Sequence, residues 1–181
     1  MDLEQELMQR LENDEAEMIK IRRHLHEHPE LSFQEKETAK YIKDYYKNLD
    51  CTVSDCGDGY GILVDIDSGQ PGPKLALRAD FDALAIQEDN DLPFKSQNPG
   101  VMHACGHDGH TAYTMVLAKN LIALRSQLKG SIRIIHQPAE EVSPGGAKSM
   151  VADGALDGVN HVVGIHVMSS MPTGAIGYHY G

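Results

Sequence analysis

The chain has 181 residues, 41% of them hydrophobic and 24% charged, with a formal net charge of −11. That length folds one core and makes a single domain the natural unit. The acidic balance argues against nucleic acid as a partner, since phosphate binding needs a concentrated basic face, and no apolar run approaches the ~20 residues of a membrane helix.

Leu3, Leu7, Leu11, Met18, Ile21 and Leu25 recur at helical spacings. They predict one N-terminal helix that stops at His28-Pro29, where proline pushes the preceding residue out of helical geometry. Ser32 followed by Glu35 reads as a capping box for a second helix, which carries Ala39, Tyr41, Ile42, Tyr45 and Tyr46 and ends near Asn48. From Val53 the pattern changes to short apolar runs with turn punctuation. Residues 60–66 and 74–79 read as strands around the loop 67–73, and the second strand ends in Asp80-Phe81-Asp82. A helix over 111–126, a strand over 131–136, a short helix over 145–151 and a strand over 161–166 complete the chain. Strands alternating with helices predict an α/β fold, with helices packed on a mixed, mostly parallel sheet.

Three cysteines are an odd number, which excludes a complete disulfide framework. With an acidic N-terminus that lacks a basic and apolar leader, they point to a cytoplasmic protein. Cys51 and Cys56 have no second pair to complete a zinc knuckle and read as ordinary thiols. Ten histidines are many for this length, and they cluster. His24, His26 and His28 alternate near a helix end and read as solvent-exposed.

The densest stretch is Met102-His103-Ala104-Cys105-Gly106-His107-Asp108-Gly109-His110. It supplies imidazoles, a thiol and a carboxylate, the ligand types transition metals prefer. His136-Gln137-Pro138-Ala139-Glu140-Glu141 follows a strand, His166 ends another, and Asp80 and Asp82 end a third. In open α/β sheets ligands bind in the crevice beyond such strand ends. One crevice can therefore collect Cys105, His107, Glu140, Glu141, His166 and Asp82. Adjacent glutamates diverge, so one can bind a metal while its neighbour serves as a base that takes a proton from an activated water and returns it to a leaving amine. That chemistry is amide hydrolysis.

These motifs resemble the metal-dependent amidohydrolase group of aminoacylases, hippurate hydrolases and indole-acetyl-amino-acid hydrolases, within the carboxypeptidase-like co-catalytic metallopeptidases. The likeness rests on Met102 to Thr111, on Arg22-Arg23-His24-Leu25-His26 with Pro29 to Phe33, on Leu77 to Leu84, on His136 to Glu141 and on Gly164-Ile165-His166. It implies a zinc-peptidase-like catalytic domain. Cys105, His107, Glu141 and His166 would hold two divalent metal ions, zinc or manganese, with cobalt or nickel also suited to these donors. Glu140 would be the general acid/base, and Asp82 would support the centre by orienting a ligand or a loop. Substrates would be N-acyl amino acids or small peptides with a free carboxylate.

Ala85 stands where that group usually has proline. Members are also about twice as long, with a lid and dimerisation domain and a returning catalytic segment that carries one more histidine. The expectation is therefore that 1–181 is the N-terminal portion of the catalytic domain, incomplete relative to the family. A weakly active or inactive metal-binding domain is the alternative to a working enzyme, and homo-oligomers through an uncovered sheet edge fit either reading. A cysteine-nucleophile hydrolase, with Cys105 attacking and His107 or His110 as base, is a further alternative, but it leaves Glu140 and Glu141 without a role.

Overall fold

A computed structural model describes residues 2–178; His179 lies outside them. Three helices come first: α1 (Leu3–Asn13), α2 (Glu15–Glu27) and α3 (Lys36–Tyr46). Strands β1 (Thr52–Asp55), β2 (Ile62–Asp67) and β3 (Lys74–Asp80) follow, then α4 (His107–Ala123), β4 (Ser131–Gln137), α5 (Gly146–Ala152) and β5 (His161–Gly164). A single 3-10 turn, Arg125–Gln127, links α4 to β4.

The strands form one sheet in the order β1-β2-β4-β3-β5. β2 is antiparallel to both β1 and β4, while β3 is parallel to β4 and β5. β2 alone therefore runs against the other four, and the sheet is mixed and mostly parallel, as the sequence predicts. Period-two alternation sends Ile62, Val64 and Ile66 of β2 and Ile132 and Ile134 of β4 to one face. There they pack on Ile42, Tyr46, Ala112, Met115 and Val116 of the helices. Leu63 and Ile135 point the other way, onto Cys56, Met150 and Ala155. Helices thus cover both faces of the central strands. At the far edge β5 is exposed throughout. No helix of the described residues is long and apolar enough to cross a membrane.

Several elements differ from the sequence prediction. The N-terminal helix breaks at Asp14 (φ −95°, ψ 5°). Asn13 and Asp14 are weak helix formers, and the Asp14 carboxylate accepts hydrogen bonds from Asn120 and Lys119 of α4 at 2.8 Å each. β1 is an additional strand. α4 begins at His107 rather than Thr111, because Gly106 adopts the left-handed conformation (φ 86°) that starts the helix early.

The expected Ser32–Glu35 capping box does not form. The carboxylate of Glu30 does that work: it accepts the amides of Glu37 (3.2 Å) and Thr38 (2.7 Å) in the first turn of α3. His26 is buried rather than exposed, 2% accessible. Its Nδ1 meets Asp108 at 2.7 Å and its Nε2 meets Glu88 at 3.1 Å, which ties α2 to α4 and to the long loop after β3. The two carboxylates, Asp108 foremost, raise its pKa against the effect of burial. Cys51, Cys56 and Cys105 are all free thiols.

Candidate metal centre

β3, β4 and β5 all end on the same side of the sheet, and the N-terminus of α4 arrives there too. Asp80 closes β3, with Asp82 two residues on. The turn after β4 carries Glu140 and Glu141. The segment after β5 carries His166, and Gly106 delivers Cys105 and His107. These placements follow from parallel topology, which gathers strand ends and the loops after them into one crevice.

His107 is the centre of the arrangement and fully buried. Its Nδ1 lies 2.9 Å from the Asp82 carbonyl oxygen and 3.2 Å from Asp82 Oδ1. Both are acceptors, so Nδ1 carries the proton, and in the neutral ring the lone pair is on Nε2. Against the effect of burial, the carboxylates of Asp82, Asp80 and Glu141 raise the pKa of the ring, an excess of negative charge that a cation would answer. The His107 Nε2 is buried and has no hydrogen-bond partner. It lies 3.7 Å from both Asp80 Oδ2 and Glu141 Oε1. Cys105, His107 and His166 each bring a ligand atom within 4.8 Å of the others, and so do His107, Glu140 and Glu141. Cys105 Sγ is 3.4 Å from His166 Nε2. The structure therefore brings together all six residues singled out from the sequence.

The electrostatics suit a cation. Burial raises the Asp82 pKa, but hydrogen bonds from His107, from Ser32 and from the amides of Glu141 and Glu140 outweigh it and bring the value down to about 2. Burial and the neighbouring Glu141, Asp80 and Glu140 push the Cys105 thiol up to about 12. A thiol packed among carboxylates gives up its proton when a metal ion takes that place. An unpartnered imidazole nitrogen, a thiol and several carboxylates converging on one point fit a divalent transition metal.

Asp80 and His110 form a third group with His107 in which ligand atoms lie within 4.8 Å. Both are already engaged. His110 Nδ1 donates to Asp80 Oδ1 at 2.7 Å, and its Nε2 accepts the Val167 amide at 3.0 Å. Asp80 also pairs with Arg78 at 2.6 Å. His110 thus acts as a strut that fixes the segment just after His166. His103 is buried with neither ring nitrogen partnered, and burial lowers its pKa to about 4. His136 sits in the core, where the Tyr46 hydroxyl meets its Nε2 at 3.0 Å, and burial lowers its pKa to about 3.

Two residues of the site escaped the sequence reading. Ser32 Oγ donates to Asp82 Oδ2 at 2.7 Å, and Glu35 Oε1 accepts the Ala139 amide at 2.8 Å. Their Ser-x-x-Glu spacing is a signal in the sequence, but one that points to a helix cap.

Comparison with known proteins gives one family match, Peptidase family M20/M25/M40, over residues 76–181. A solved structure from methicillin-resistant Staphylococcus aureus superposes with a TM-score of 0.91 at 59% identity, covering 92% of this chain and 43% of that one. The Bacillus subtilis YXEP protein, a dinuclear metal binding peptidase of the M20 family, superposes with a TM-score of 0.82 at 44% identity, covering 87% of this chain and 44% of that one. The N-acyl-L-amino acid amidohydrolase of Geobacillus stearothermophilus is 44% identical over 98% of this chain and 48% of its own length. The chain spans a little under half the length of the curated relatives it matches.

Proposed function

The chain belongs to peptidase family M20/M25/M40, and on that premise we propose that its strand-end crevice is the metal-dependent site of an amide-bond hydrolase acting on N-acyl amino acids or small peptides. The observation that carries the reading is the buried, unpartnered Nε2 of His107, with Cys105, His166, Glu140 and Glu141 grouped around it. The substrate class is supported by the name of the Geobacillus relative.

In this reading Cys105, His107, Glu141 and His166 hold two divalent ions, zinc or manganese, with cobalt or nickel also suited to the donors. Such ions, when bound, lower the pKa of a water and polarise the scissile carbonyl. Asp82 holds His107 in the tautomer that presents Nε2. Glu140 is exposed while Glu141 is half-buried. That difference suits Glu141 to ligation and leaves Glu140 free to take a proton from water and pass it to the departing amine. The cysteine-nucleophile alternative loses ground here, because the carboxylates beside Cys105 disfavour a thiolate without a cation.

Elemental analysis of the purified chain tests the site. The wild type is expected to retain metal, and a variant combining Cys105→Ser with His107→Ala to lose most of it. Equal metal content in the two proteins rejects the assignment. Release of amino acid from N-acetyl- and N-benzoyl-amino acids, abolished by Glu140→Gln with metal retained, tests the reaction.

A further inference from the structure

The segment 30–35 divides its polar side chains in an unexpected way. Glu30 caps α3, which leaves Ser32 and Glu35 free of the capping role their spacing suggests. Both turn inward, at 8% and 0% exposure. Ser32 reaches Asp82 Oδ2, the same oxygen that accepts the Glu141 amide at 3.0 Å. Glu35 reaches the other end of that turn, at Ala139.

Ala139 is a buried non-glycine residue with φ +49°. An L-residue with a Cβ rarely holds this left-handed conformation unless its surroundings over-determine it. Two contacts do so: the Glu35 carboxylate takes its N–H, and its carbonyl accepts the Gly146 amide at 3.0 Å. The twist at Ala139 sets the direction in which Glu140 and Glu141 leave the strand. Glu35 Oε2 is buried with no hydrogen-bond partner. Leaving one oxygen of a buried carboxyl group without a partner is costly, so the fold retains Glu35 against a penalty.

We propose that Glu35 is a positioning residue, which fixes the turn presenting Glu140 and Glu141 by holding the Ala139 amide. The role rests on the reading that these two glutamates are the working pair. Glu35 acts through its reach to the Ala139 N–H and not through its charge. That makes two conservative substitutions opposite in effect. Glu35→Gln keeps the acceptor oxygen at the same distance. Glu35→Asp keeps the carboxylate but withdraws it by one methylene.

Amide hydrogen exchange on the metal-free full chain reads this directly. In Glu35→Asp the amides of residues 139–141 are expected to exchange at least tenfold faster than in the wild type. In Glu35→Gln they stay within about threefold. The amides of Glu37 and Thr38, held by Glu30, stay unchanged in both. On adding Co2+, the visible absorption of the Asp variant shifts from that of the wild type and the Gln variant does not. Unchanged exchange in Glu35→Asp overturns the proposal. So does loosening in Glu35→Gln equal to that in Glu35→Asp, or loosening that spreads through α3 and the sheet. If the wild-type chain takes up no Co2+, the proposed metal-dependent function fails, while the metal-free exchange contrast still decides the role of Glu35.

Discussion

Asp82 carries more of the site than its single carboxylate suggests. Oδ1 and the carbonyl oxygen face His107, and Oδ2 accepts from both Ser32 and the Glu141 amide. It therefore sets a tautomer, anchors a turn and ties both to the loop before α3. Replacing Asp82 by alanine leaves the His107 carbonyl contact but removes the other three. Under the proposed function, with His107 as a ligand, metal affinity is expected to fall about 10–100-fold, the usual loss when an outer partner of a ligand is deleted. Competition with a coloured chelator measures this; affinity equal to wild type would remove Asp82 from any orienting role.

Single elements act through where they begin and end, and Gly106 is the clearest case. Its φ of 86° starts α4, and a Cβ added there would overlap the Val167 side chain, next to His166. Gly106→Ala is expected to cost more than about 1 kcal/mol of metal-free stability, since alanine is strained at positive φ, and to weaken metal binding by displacing the His166 segment. Urea denaturation and a zinc titration of the variant report the two effects, and wild-type values in both would refute the argument.

Elements of this kind were largely legible in the sequence. Strands β2 to β5, α3, α5 and the body of α4 follow from apolar periodicity, and the meeting of the six candidate site residues in one crevice from their places at strand ends. What sequence patterning missed depends on partners distant along the chain. The bend at Asp14 answers to Asn120, the burial of His26 to Asp108 and Glu88, and the inward turn of Glu35 to Ala139. A local pattern such as Ser32-x-x-Glu35 predicts a local bond, and Glu30 displaced it because its carboxylate reaches the same helix end.

At the scale of the whole molecule, the buried histidines make stability depend on pH. His136 has its folded-state pKa lowered to about 3 by burial, against 6.5 for the free side chain. Between those values the unfolded chain binds a proton that the folded chain refuses. The contribution of His136 is therefore complete above pH 6.5 and declines as the pH falls toward 3. From pH 6.5 to pH 5 the loss is on the order of 2 kcal/mol for this one group. His26 and His107, whose pKa values are raised, act in the opposite direction over this range, so His136 is read as a difference: in thermal melts of the metal-free chain, His136→Gln should lose less stability from pH 7 to pH 5 than the wild type. A drop of the same size in the variant would place the acid sensitivity elsewhere.

The parallel pairing at the centre of the sheet also has a consequence in time. β3 lies beside β4 with Lys74 opposite Ser131 and Asp80 opposite Gln137, so this ladder closes only after the intervening chain, α4 included, has been drawn in. The residues of the crevice sit at the far end of that ladder. As the polypeptide leaves the ribosome they emerge in the order Asp82, Cys105, His107, Glu141, His166. Early synthesis thus yields helices and a hairpin without the crevice, and under the proposed function the full set of donors meets only once the segment after β5, with His166, has cleared the exit tunnel.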